Sequence, residues 1–141
     1  MSDTSIPADT VQAYRETEYR VCGEPAFVLR IGQPSHELLE LHQTSQVQCS
    51  AFITAYNPYS QPLQASENEQ RQVALIQQLL GAGYTALRGV GQHPSNEWPG
   101  EESCLVLGID RGAAKALGDQ YEQNAIVWCG PDVVPELLLL Q

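Results

Sequence analysis

Two stretches of this 141-residue chain hold residues whose types and spacing suit chemistry. The first is AFITAYNPYSQPLQASENEQR, residues 51–71. Asn57 suits a sharp turn, because its side chain bonds nearby backbone and it tolerates left-handed geometry. Pro58 stiffens the exit. The helix expected after it offers unpaired backbone N–H groups and a positive dipole end, which suit a carboxylate or phosphate. Asn68 and Arg71, three apart, project from the same side of its first turn. An anionic or amide-bearing ligand fits such a place; the plain reading of the spacing is a capped helix with a solvated face.

The second stretch is WPGEES, with Glu97, Glu101 and Glu102 around Trp98. A carboxylate packed against an indole has its pKa raised by desolvation, which is one route to a general acid or base. The indole itself stacks on a flat ring or a cation. The plain reading is an acidic surface loop. Other chemistries find less support. His36, His42 and His93 lack the three- or four-residue spacing of a helical metal site, so no metal is expected. Ser60, Ser66 and Ser103 have no nucleophile-elbow context. GVGQHP around Gly89 matches neither a phosphate loop nor a dinucleotide fingerprint, and no cofactor is expected. Tyr14, Thr17 and Tyr19 read as a helix-to-strand packing set. Cys22, Cys49, Cys104 and Cys129 lack any C-x-x-C pairing and read as buried reduced thiols.

The elements that must position these groups follow from patterning. Residues 1–8 are expected to form a flexible tail. A helix beginning near Asp9 runs into a strand over 17–21, and Gly23-Glu24-Pro25 turns it into a second strand, AFVLRI. Ser35 caps a helix containing Leu38, Leu39 and Leu41. A strand over 49–56 sends Phe52, Thr54 and Tyr56 to one face and Ala51, Ile53 and Ala55 to the other. Ser66 and Glu69 fit a capping box, opening a helix with Val73, Ile76, Leu79 and Leu80 at helical spacing and ending at Gly81-Ala82-Gly83. YTALRGVG is a strand and GQHPSNEWPGEES a long polar loop. CLVLGI, a helix capped by Asp110, AIVWC and a terminal strand complete the chain. From residue 49 the order strand, helix, strand, strand, helix, strand predicts an α+β fold with a ferredoxin-like split β-α-β core. Its antiparallel sheet carries two helices on one face. Residues 9–141 form one domain, with 9–48 an N-terminal helix and hairpin extension of the 49–141 core.

Composition narrows the class. Hydrophobic residues make up 43%, enough for one core. Seventeen acidic against seven basic residues leave a net charge of −10, which repels a phosphate backbone and argues against nucleic acid as partner. The start MSDTSIPADT lacks a secretory pattern and no run approaches the roughly 18 apolar residues of a membrane span, so a cytoplasmic protein is expected.

The segments YRETEY (14–19), FVLRIG (27–32), TAYNPYS (54–60), ENEQR (67–71), WPGEES (98–103), LGI (107–109) and QNAI (123–126) resemble the bacterial family called domain of unknown function 3293. The resemblance runs from about residue 10 to the C-terminus. It brings no activity, but it marks the Asn57 stretch and WPGEES as motifs of one family, as if they met in one site. In layout the chain also resembles small bacteriophage enzymes that break down S-adenosylmethionine, which are ferredoxin-like trimers akin to PII-type signalling proteins. That resemblance places Asn68, Arg71, Glu101 and Gln123 at positions comparable to the site residues of those enzymes, and it implies a homo-oligomer.

The expected function is therefore a site for a small anionic or nucleotide-like ligand between the Asn57 loop, the helix start and WPGEES, with cleavage of S-adenosylmethionine as its sharpest form. Arg71 or the helix N–H groups would hold an anionic group. Asn57, Ser60, Asn68 and Gln123 would orient the ligand, Trp98 would pack on it, and Glu101 would act as acid or base. The alternative is a non-catalytic regulatory or interaction module using its acidic surface or a sheet edge. An acidic mimic of nucleic acid rests on net charge alone.

Overall fold

Side-chain alternation along one central strand divides the molecule into two cores. The computed structural model describes residues 4–23, 26–95 and 99–141. In it strand β3 (Ser50–Ile53) is buried throughout. Ala51 and Ile53 join a cluster with Leu75 and Leu79 of helix α3 (Ala65–Gly81) and with Ala114 and Leu117 of helix α4 (Arg111–Gln120). Phe52 points the other way, into a cluster with Tyr19, Leu29 and Leu38. The period-2 alternation of a strand is what gives one segment two apolar partners.

The sheet is larger than expected. Seven antiparallel strands are ordered β2-β1-β4-β5-β3-β6-β7. The strands are β1 (Glu18–Val21), β2 (Phe27–Leu29), β3, β4 (Thr85–Gln92), β5 (Glu101–Leu107), β6 (Ala125–Cys129) and β7 (Glu136–Leu139). The central order β4-β5-β3-β6 is flanked by the β1–β2 hairpin on one side and by β7 on the other. These additions occupy the backbone groups that β4 and β6 would otherwise present as open edges. One sheet thus takes strands from both 9–48 and 49–141, and it curls into a half-barrel. Its two ends approach beyond the last pairs. Gly32 N–H donates to the Pro135 carbonyl at 2.9 Å and Ser35 N–H to the Val133 carbonyl at 3.1 Å.

Helices α1 (Ala8–Glu16) and α2 (His36–Ser45) complete the α+β architecture. Ser35 and Asp110 cap α2 and α4 through the N–H groups of Leu38 and Ala113. Asp9 instead lies inside the first turn of α1, with Pro7 at the cap. The expected capping box of α3 does not form. The helix starts at Ala65, so Ser66 falls inside its first turn, and the cap position is Gln64, without a side-chain bond. The buried face of α3 is Asn68, Gln72, Leu75 and Leu79, while Val73 and Leu80 are more than half exposed. Polar side chains override the apolar pattern because Asn68 and Gln72 bond the backbone that follows β3.

Residues 4–7 are not a loose tail: Ile6 is buried and the Thr4 hydroxyl donates to the Gln141 carbonyl. All four cysteines are free thiols. Cys104 and Cys129 are buried, with pKa values pushed up to about 12 by desolvation, but Cys22 is exposed. Glu24 and Pro25 of the expected turn lie outside the described residues. No helix among those described is long and apolar enough to cross a membrane.

Candidate functional site

The chain leaves β3 through a strained turn. Asn57, Tyr59 and Ser60, all non-glycine, have positive φ of 48°, 52° and 59°. Such conformations persist only where surrounding contacts over-determine them, and they cluster at functional sites. Asn57 is the hub here. Its Oδ1 accepts from Asn68 Nδ2 at 2.8 Å and from Leu63 N–H at 3.1 Å, while its own N–H donates to Asn68 Oδ1 at 2.8 Å. Tyr59 N–H donates to the Glu122 carbonyl at 2.7 Å. The hydroxyls of Ser60 and Tyr14 share a short hydrogen bond, and Asn124 Nδ2 donates to Tyr14 at 3.1 Å and to Ser60 at 3.4 Å. Residues far apart in sequence therefore meet at one turn.

The WPGEES end forms the facing wall. Glu101 is the first residue of β5, paired with Gly91, rather than part of the loop. Its Oε2 accepts from Asn57 Nδ2 at 2.7 Å. Thr54 donates to the Glu102 carbonyl at 2.6 Å, fastening β3 to β5 beyond their last paired residues. Glu102 itself turns outward to Arg88, at 2.7 Å.

Between these walls, on the Phe52 side of the sheet, is a cavity of about 330 Å³, within the size range of small-molecule sites. Its floor is apolar, with Phe52 and Tyr19 packed edge to face at 5.3 Å, and with Val127 and Leu137 beside them. Burial raises the Tyr19 phenol pKa. Helix α1 forms the roof through Asp9, Thr10, Ala13 and Tyr14, although none of its residues is buried. The roof is held by polar contacts. Tyr19 donates to the Tyr14 carbonyl at 2.6 Å, and His93 pairs with Glu16 at 2.9 Å. The hydrogen bond from His93, then that from Gln12, lowers the Glu16 pKa.

Four of the residues picked out in the sequence line this cavity: Asn57, Ser60, Glu101 and Gln123. Asn68 stands behind the lining, gripping Asn57. Arg71 is also outside it. Its guanidinium donates to the carbonyls of Ala55 at 2.7 Å and Tyr121 at 2.6 Å, and it pairs with Glu122 at 3.3 Å, so it ties α3 to the ends of β3 and α4. The first turn of α3 does not border the cavity, which removes the expected anion-binding N–H groups from it. Trp98 and Glu97 lie outside the described residues. Sequence reasoning missed Tyr14, Thr17, Tyr19, His93 and Asn124 as cavity residues. Tyr14 and Thr17 carried a signal, the first on helix α1 and the second at its extended C-terminal cap, three residues apart directly before a strand. Asn124 sat unread beside Gln123.

A curled α+β domain with a cavity of apolar floor and polar walls under a lightly held helix is the class defined by this fold and site. The chain belongs to the family described as a protein of unknown function (DUF3293), whose model matches residues 53–126, spanning both cavity walls from β3 to β6. No curated protein and no solved structure matches it.

Proposed function

We propose that this protein binds a small polar molecule in the cavity between α1, the Asn57–Ser60 turn and the start of β5. The observation that carries this reading is the Asn57–Glu101 hydrogen bond, which joins two separate motifs into one cavity wall. Glu101 is a charged contact and the candidate acid or base. Asn57 holds it, while Ser60, Tyr14, Asn124 and Gln123 supply neutral polar contacts. Asn68 and Arg71 position the walls without touching the ligand. The β3–α3–β4–β5–α4–β6 segment, with strand order β4-β5-β3-β6, supports reading this part as a ferredoxin-like split β-α-β unit enlarged by β1, β2 and β7. Four free thiols support the cytoplasm as its setting.

Thermal-shift screening against nucleosides, amino acids and S-adenosylmethionine tests the binding reading, since a ligand of the native state raises Tm. A hit should lose its shift in Glu101→Gln and Tyr14→Phe. Hits indifferent to both changes would place binding elsewhere. For the S-adenosylmethionine version, purified protein should release methylthioadenosine or a homoserine product, and Glu101→Gln should not. Absence of product at high protein concentration removes cleavage from the proposal.

A further inference from the structure

Resting on the cavity as the binding site, we infer that its ligand is a small organic cation bearing N–H groups, such as a primary amine, an amidine or a guanidine. Two independent properties of the lining point there. The first is charge. Asp9 and Glu101 line the cavity, beside His93, which pairs with Glu16, and among the described residues no arginine or lysine lines it. Five of the six arginines pair with carboxylates elsewhere, Arg20 and Arg30 with Glu18, Arg71 with Glu122, Arg88 with Glu102 and Arg111 with Glu136, and Arg15 of α1 is outside the lining. With a net charge of −10 behind it, this lining repels an anion and draws a cation in.

The second property is the direction of the hydrogen bonds. A hydroxyl has one hydrogen and two lone pairs. Thr17, Tyr19, Thr54 and Ser103 all line the cavity, and each spends its hydrogen on a backbone carbonyl, those of Ala13, Tyr14, Glu102 and Glu101 respectively. What these oxygens retain for a ligand is acceptor capacity, reduced at Thr54, which already accepts from Tyr56 N–H at 3.1 Å. The amides behave alike. Gln123 Nε2 donates to the carbonyls of Tyr56 and Tyr121, Asn124 Nδ2 to Tyr14 and Ser60, and Asn57 Nδ2 to Glu101. The cavity has thus committed most of its donors internally and kept acceptors. A carboxylate or phosphate, which only accepts, would leave those acceptors unpaired, whereas an ammonium brings three donors and one positive charge. Phe52 and Tyr19 add an aromatic floor on which the body of such a molecule packs.

The test uses matched sets in which one body carries an amine, an alcohol or a carboxylate: benzylamine, benzyl alcohol and benzoate, with butyl and 5′-substituted adenosine sets beside them. Each is titrated into the full chain and followed by amide NMR shifts of cavity residues. In at least one set the amine should bind ten-fold or more tighter than the alcohol, about 1.4 kcal/mol, with the carboxylate weakest. Glu101→Gln, checked for native circular dichroism, should bring the amine down to the level of the alcohol. In the unaltered protein, added salt should weaken amine binding and leave alcohol binding unchanged. Alcohols or carboxylates binding as tightly as amines at the cavity overturn the cation assignment and leave the site standing. If no member of any set shifts cavity residues, the site reading falls, and this inference falls with it.

Discussion

At Asn57 three requirements meet in one side chain: a left-handed backbone, a grip on α3 through Asn68, and a donor for Glu101. Asn57→Ala removes the side-chain bonds and leaves at φ 48° a residue that tolerates the left-handed region less well than asparagine. The expected cost is about 2–4 kcal/mol in urea unfolding, and Asn57→Gly should recover about 1 kcal/mol of it by relieving the backbone alone. Equal losses for both would show that the conformation carries no cost. His42 is a second residue with a distinct signature. It is 3% exposed, 2.9 Å from the Ser50 hydroxyl, and burial lowers its pKa from the ordinary 6.5. The native state therefore resists taking a proton that the unfolded chain accepts. The stability so gained is fully present above about pH 6.5 and is lost as pH falls from there through the lowered native value. Tm should drop between pH 7 and 5, and His42→Gln should flatten that part of the profile. The turn at Asn57 was legible in the sequence because turn preference is local. Its partner Glu101 was legible only as a candidate, because it lies 44 positions along the chain and the fold between decides whether the two side chains meet.

Among the elements, α3 separates what patterning reads from what packing imposes. Apolar spacing picked Val73, Ile76, Leu79 and Leu80, but the fold rotates the helix so that Leu75 is fully buried and Val73 and Leu80 face outward. Leu75→Ala should cost about 2–4 kcal/mol, while Val73→Ala and Leu80→Ala should stay within about 0.5 kcal/mol, as judged by denaturant midpoints. A reversed ranking would restore the face read from the sequence. The caps at Ser35 and Asp110 were legible because a cap bonds a backbone N–H only three residues ahead. Helix α1 differs from the rest in having no buried residue, and it is held over the cavity by contacts such as the Glu16–His93 pair. Glu16→Gln should accelerate amide exchange in α1 while leaving the global unfolding midpoint in place. Unchanged exchange would mean that the pair does not hold the roof.

For the molecule as a whole, the curled sheet depends on close approaches between strands. Gly89 of β4 shows this, since a Cβ there would lie 2.6 Å from the Phe52 ring and 2.8 Å from the Arg20 carbonyl. Gly89→Ala should cost about 1–3 kcal/mol and, by moving Phe52, should also weaken any ligand held on the cavity floor. Retained stability and binding together would show that the sheet yields freely at this point. The two sheet ends meet through Gly32–Pro135 and Ser35–Val133, pairs more than 95 residues apart, which no local pattern announces. The sequence by itself determined the α+β class, the two capped helices, the alternation of β3 and the two motifs that wall the cavity. These rest on periodicity, turn chemistry and capping, all acting within a few residues. Only the tertiary structure decided that Arg71 serves as a tie, that Tyr14 and Asn124 enter the site, and that the cavity keeps acceptors. Each of those outcomes depends on which distant carbonyl claims a given hydrogen, and that is fixed only once the chain has closed around it.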